Sequence, residues 1–268
     1  MKVSVRDKER SAGGRLSLNG EWLLRWADGQ RGSLEYHAAV RTDEKKWMSA
    51  QVPGEVHLDL LRHGLIEEPG AALNCLKSRW VEESFWSYRR TFRTPEAARD
   101  CEVWLEFAGL DYEARIFLNG EPVGTHANCF LPCRVRVTDK LLPPPAENVL
   151  VVTLESGLIH AANKSAEGYY VNTADGLLHK RIWLRKPQFS FGWDWAPRYV
   201  NVGIHGDVAL RWERDALVTQ ASVRVAPDAA GCDAAAGGPA ERWTVTARAA
   251  VTGLPAGAGK RVTLRLAI

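Results

Sequence analysis

No run of this sequence is apolar for long enough to span a bilayer, and its first ten residues, Met1 to Arg10, hold no apolar core of a secretory leader. Both absences point to a soluble protein without an export signal, expected in the cytoplasm. No long Lys/Arg run occurs, and 35 basic residues stand against 32 acidic, so neither nucleic acid nor an anionic membrane is an expected partner. The five cysteines (Cys75, Cys101, Cys129, Cys133, Cys232) are too few and too irregular for a disulfide framework, which suits reduced thiols. His126, Cys129 and Cys133 lack a fourth ligand, so no metal is expected. No phosphate-cradling glycine loop and no Ser/His/Asp arrangement is present, and no cofactor is expected.

Tryptophan is what the sequence has in excess. Eleven occur, and Trp47, Trp80, Trp86, Trp193 and Trp195 lie in polar surroundings. Two of these frame Gln188-Phe189-Ser190-Phe191-Gly192-Trp193-Asp194-Trp195-Ala196-Pro197-Arg198, where Gly192 and Pro197 prevent a regular helix or central strand. An indole face stacks on the C–H face of a sugar ring, and a carboxylate accepts hydrogen bonds from two adjacent hydroxyls, so Trp-Asp-Trp suits a carbohydrate. The same residues also suit a structural corner, with two buried Trp and Asp194 paired to Arg198 or capping a turn. The stretch 156–179 that leads into it is long and irregular, with Asn163, Tyr169, Tyr170, Asn172 and Asp175, which predicts a ligand surface built from loops between 156 and 200.

The remaining pattern is mostly strand. Residues 16–26 read as a strand pair around Asn19-Gly20, and 114–124 as a hairpin turning on Asn119-Gly120. Further strands are expected at 84–92, with Trp86, Tyr88, Arg90 and Phe92 on one face, and at 102–107, 134–138, 148–154 and 203–212. One short helix is expected from Val56, ended by Gly64. Short-looped strands at this spacing predict an antiparallel sandwich of jelly-roll type. After Arg214, three alternating runs (217–225, 242–251, 261–266) read as part of a second β domain, short of the roughly seven strands of an immunoglobulin-like sandwich. The expected domains are therefore 1–214 and an incomplete 215–268.

These residues resemble the N-terminal region of the β-mannosidases of glycoside hydrolase family 2. The resemblance is carried by Leu18-Asn19-Gly20-Glu21-Trp22, Val52-Pro53-Gly54 with His57-Leu58-Asp59-Leu60-Leu61, Gly64-Leu65-Ile66, Trp86-Ser87-Tyr88-Arg89, Phe107-Ala108-Gly109-Leu110-Asp111, Phe117-Leu118-Asn119-Gly120, Asn128 with Phe130, and Arg185 through Arg198. It implies an all-β fold, a galactose-binding-like jelly roll followed by the start of an immunoglobulin-like domain. It also implies a TIM barrel beyond it in the same polypeptide, carrying two catalytic glutamates. The implied substrate is a terminal β-mannoside or manno-oligosaccharide, contacted by Trp193, Asp194 and Trp195, with Asn128 and Arg198 as further contacts. Ala196 and His205 stand where the family usually has Gly and an aromatic residue, and a Phe-Tyr-Gly element expected near Pro69 to Asn74 is missing.

Retaining glycoside hydrolysis needs two carboxyl groups about 5–5.5 Å apart. The adjacent pairs Glu67-Glu68 and Glu82-Glu83 diverge from any common point and read as solvated charge. The chain alone is therefore expected to hydrolyse nothing. The alternative is a stand-alone carbohydrate-binding or interaction module.

Overall fold

In the computed structural model, residues 13–35, 37–38, 42–165, 167, 178–227, 243–254 and 258–259 are described. The chain divides into a larger compact unit (Arg15–Arg99 with Val103–Arg211) and a smaller one (Met1–Gly14, Asp100–Glu102 and Trp212–Ile268).

The fold is all-β. Six strands, β2 (Gly20–Asp28), β3 (Met48–Val52), β4 (Ser84–Arg93), β6 (Glu113–Leu118), β7 (Glu121–Ala127) and β9 (Glu147–Glu155), form one sheet in the order β3-β2-β4-β9-β6-β7. Every neighbouring pair in it is antiparallel. A second sheet runs β1-β10-β5-β8, from β1 (Gly13–Ser17), β5 (Glu102–Phe107), β8 (Cys133–Arg136) and β10 (Val208–Glu213). Trp86, Tyr88, Ile116, Val152 and Leu154 of the first sheet and Leu105 and Phe107 of the second are fully buried. Each such apolar side chain contributes about 1.5–3 kcal/mol.

Strand β4 was expected to bury one face, and both are covered. Phe85, Ser87 and Arg89 are buried as well as Trp86 and Tyr88. The reason is the irregular segment between β2 and β3. Glu44 from that segment pairs with Arg89 at 3.1 Å, Glu35 pairs with Arg115, and Ala38 packs on the cluster of Phe117, Val149 and Val151. β9 is buried from Asn148 to Glu155 for the same reason, with its polar positions matched inside: Ser87 Oγ meets Thr153 Oγ1 at 3.1 Å.

The two Asn-Gly turns behave differently. Asn119-Gly120 turns a hairpin, with φ of 55° and 86°, and Leu118 faces Glu121 across it. Asn19-Gly20 does not, because β1 and β2 belong to different sheets. Its side chain bonds instead to the far end of the chain: Asn19 Oδ1 accepts from Val208 N and Nδ2 donates to Asp207 Oδ1, both at 2.8 Å. Dipeptide chemistry allows either outcome, and the partner strand decides.

Helix α1 (Val56–Arg62) lies where it was expected, with Gly64 at φ 67° just beyond it. Two single turns, α2 (Asn74–Lys77) and α3 (Leu158–Ala161), add to it. In the smaller unit, β11 (Ala216–Pro227) and β12 (Trp243–Gly253) pair antiparallel from Ala216 opposite Gly253 to Pro227 opposite Trp243. The run expected at 261–266, Cys232, and Tyr169, Tyr170, Asn172 and Asp175 fall outside the described residues. Among the described residues no helix is long and apolar enough to cross a membrane.

Candidate functional site

The segment 184–205 belongs to the larger unit and runs as a chain of tight turns and isolated bridges. A 3-10 turn over Gln188–Phe191 buries Ser190 and Phe191, and Phe191 joins Tyr112, Leu158, Ala161, Leu184 and Val200 in one apolar cluster. Gly192 then takes φ 103°, a conformation costly for any residue with a Cβ, and the direction of the chain reverses. Trp193 and Ala196 close a two-residue loop by mutual backbone bonds of 3.0 and 3.2 Å. Tyr199 N donates to Ser190 O at 2.8 Å and closes the neck below it.

Asp194 and Trp195 are therefore the tip of a small hairpin-like loop. Trp195 is 79% exposed and Trp193 50% exposed, and their rings lie 5.9 Å apart at 60°. Asp194 is exposed and makes no hydrogen bond or ion pair to any described residue. The structural-corner reading, two buried Trp and a paired Asp, is not what the chain builds. Two apolar faces flank a carboxylate that no described residue engages, which is an arrangement for polyol hydroxyls on a ring with apolar C–H faces.

Below the tip the segment is held by charge. Lys186, whose side chain is 0% exposed, places Nζ 2.6 Å from Asp111 Oδ1 and also donates to the Asn201 carbonyl. Asp111 and Gly203 exchange backbone bonds at 2.9 and 2.8 Å. Burial raises the Asp111 carboxyl, and the Lys186 ammonium pulls it back. On the next strand of chain, Val56 N bonds to Val202 O and Gly54 N to Ile204 O, both at 2.9 Å. Glu55 accepts from His57 N at 2.9 Å and meets His57 Nδ1 at 2.5 Å, and the His57 ring packs on Tyr199 at 4.2 Å. Desolvation pushes the Tyr199 hydroxyl well above its usual value.

Arg198 lies beneath the tip. Its Nε donates to Glu82 Oε2 at 3.2 Å and its Nη2 lies 2.8 Å from Oε1, with side-chain exposures of 8% and 4%. This corrects the reading of Glu82-Glu83 as solvated charge: the 3-10 turn Arg79–Val81 directs Glu82 inward and leaves Glu83 exposed. Glu67 and Glu68 are exposed, Glu67 with Lys77 at 2.6 Å. Asn128 stands on the loop after β7, half-buried, its Oδ1 accepting from Phe130 N at 2.9 Å. The adjacent Cys129 N bonds to Arg185 O at 3.0 Å, which ties that loop to the segment carrying the tip.

The sequence reading singled out the tip and missed its supports. Lys186, Glu82, Glu55 and His57 carry no motif for support, and a buried lysine is recognisable only from its partner. His126 Nε2 meets Asn128 O at 2.5 Å, and among the described residues no group of three or more metal-ligating side chains is gathered. Cys75, Cys129 and Cys133 are free and buried, Cys101 is buried as well, and burial pushes the Cys129 and Cys133 thiols up to about 11.

The chain is similar to beta-mannosidase B of Thermothelomyces thermophilus, 36% identical over 173 residues, covering 63% of this chain and 20% of that protein. It is 34% identical over 172 residues to beta-mannosidase B of Emericella nidulans, again with 20% of the relative covered. The chain thus spans about a fifth of the length of the curated relatives it matches. Among solved structures it is similar to the beta-D-mannosidase from Dictyoglomus thermophilum, with 35% identity and a TM-score of 0.65 over 79% of this chain and 24% of that one. Residues 36–206, well over half of the sequence, match the family described as glycosyl hydrolase 2 galactose-binding domain-like, and the chain belongs to that family.

Proposed function

We propose that this chain is the N-terminal, substrate-facing part of a retaining exo-β-mannosidase. In this reading Trp193, Asp194 and Trp195 contact the terminal non-reducing mannosyl unit, Asp194 accepting from ring hydroxyls and the two indoles forming the wall. Asn128 and Arg198 act behind them, as loop supports. The single observation that carries this is an exposed carboxylate without a partner among the described residues, held between two exposed indoles on a loop fixed from below. The names and identities of the relatives direct it to β-mannosides. Hydrolysis is assigned to carboxylates in the portion of the relatives that this chain does not match, and the hairpin β11–β12 to the start of an immunoglobulin-like domain.

Calorimetric titration of the 268-residue chain with mannose and mannobiose, beside an Asp194→Ala variant, tests this. One carboxylate and two indoles on an open loop should bind at millimolar strength or weaker, about −4 kcal/mol at most. Micromolar binding abolished in the variant would instead make the chain an independent sugar-binding module.

A further inference from the structure

We propose that Glu82 is the positioning residue of the Trp193–Ala196 tip, acting through Arg198. This rests on the reading of the tip as a sugar contact only for its consequence, not for its geometry. Glu82 and Arg198 are 116 residues apart in sequence, and the guanidinium sits against both carboxylate oxygens, with one hydrogen bond from Nε to Oε2 at 3.2 Å and an ion-pair contact of 2.8 Å from Nη2 to Oε1. Arg198 follows the tip directly, after Pro197.

What distinguishes Glu82 from an ordinary buried partner is the rigidity of its own backbone. Three consecutive carbonyls of its turn are each capped by a side chain. Ser84 Oγ donates to Trp80 O at 2.8 Å, Trp86 Nε1 to Val81 O at 2.8 Å, and Ser156 Oγ to Glu82 O at 2.6 Å. The indoles of Trp26, Trp80 and Trp86 pack around the same turn, each pair 5.7 Å apart. Glu82 is thus a fixed post just before β4, and Arg198 is where the loop is tied to it. Among the described residues the tip has no comparable tie of its own: it is closed by two backbone bonds, and Trp193, Asp194 and Trp195 are all exposed. Burial raises the Glu82 carboxyl while Arg198 and Arg79 pull it back.

The test uses the 268-residue chain labelled with 5-fluorotryptophan, its Trp193 and Trp195 fluorine resonances assigned with Trp193→Phe and Trp195→Phe. In Glu82→Gln the two tip resonances should move toward free-indole shifts while those of Trp22 and Trp86 stay in place. Arg198→Lys, which keeps the charge but not the two-point contact, should give an intermediate movement. Titration with methyl β-D-mannopyranoside should weaken at least tenfold in Glu82→Gln. Unmoved tip resonances in either folded variant would overturn the proposal. If Glu82→Gln fails to fold, Arg198→Lys decides on the same resonances; loss of the Trp22 and Trp86 signals in both would make the pair a core element and overturn it too. A mannoside that perturbs nothing in the unmodified chain would count against the sugar reading alone, since the fluorine shifts still report on Glu82.

Discussion

The buried pair of Lys186 and Asp111 should be the most sensitive electrostatic contact under the loop segment. At 2.6 Å, two unit charges attract by about 6 kcal/mol at an effective dielectric near 20, and desolvation of both groups offsets much of it. The asymmetry appears when one partner is removed. In Asp111→Ala the ammonium stays fully buried with the Asn201 carbonyl as its remaining acceptor among the described residues, and in Lys186→Met the buried Asp111 carboxylate loses the ammonium that offsets its desolvation. Each single substitution should cost about 3–5 kcal/mol. For a unit of this size that lowers the melting temperature by roughly 6–20 °C. The double variant should cost less than the sum by at least about 2 kcal/mol, because it leaves no orphaned charge. Urea unfolding of the four proteins, followed by tryptophan fluorescence, measures the cycle. Single costs below about 1 kcal/mol, or strict additivity, would refute the claim that this pair holds residues 186 to 203 to the loop at Asp111.

Other outcomes follow from the same structure. Burial pushes the Glu155 carboxyl from 4.5 up to about 7 despite bonds from Gly157, Ile159 and His160 amides, so its stabilising contribution is full below pH 4.5 and lost as pH rises through 7. That loss is on the order of 3 kcal/mol and should be absent from the stability–pH curve of Glu155→Gln measured by urea unfolding. Asn19→Ala removes both bonds of the corner between sheets and leaves the Val208 amide unsatisfied, which should cost about 1–3 kcal/mol by thermal unfolding. Trp195→Ala should change stability by no more than about 0.5 kcal/mol in the same assay, since the ring is largely in solvent.

Local pattern was enough to place most elements. The runs at 84–92, 102–107, 114–118 and 148–154 are strands because β-branched and aromatic residues alternate or cluster there between turn residues, and α1 ends where Gly64 permits a positive φ. What pattern did not show was which strands meet. Asn19-Gly20 and Asn119-Gly120 are the same dipeptide, yet one joins two sheets and the other turns a hairpin, a difference set by Asp207 and Val208 nearly 190 residues away. The candidate site divides in the same way. The tip was legible because its chemistry is consecutive in sequence. The supports were not, because Glu82 with Arg198 and Asp111 with Lys186 are each a pair of ordinary residues until the fold brings them together.

The contrast between tip and base is itself an argument about function. A chain that needed Trp193 and Trp195 for stability would bury them, since a buried indole contributes more than almost any other side chain. Here two indoles are left in solvent while charged groups, Lys186, Asp111, Arg198 and Glu82, are taken out of it directly beneath. Both choices work against the stability of the isolated fold, because exposed aromatic surface gains little and buried ions must recover their hydration from one another. They make sense together if the segment must present an exposed carboxylate and two ring faces in a fixed orientation. Ion pairs set orientation more sharply than apolar contacts do, and a preorganised loop loses less entropy when a ligand arrives. Gly192 fits the same reading: its positive φ, open to a residue without a Cβ, stands where the direction of the tip is decided.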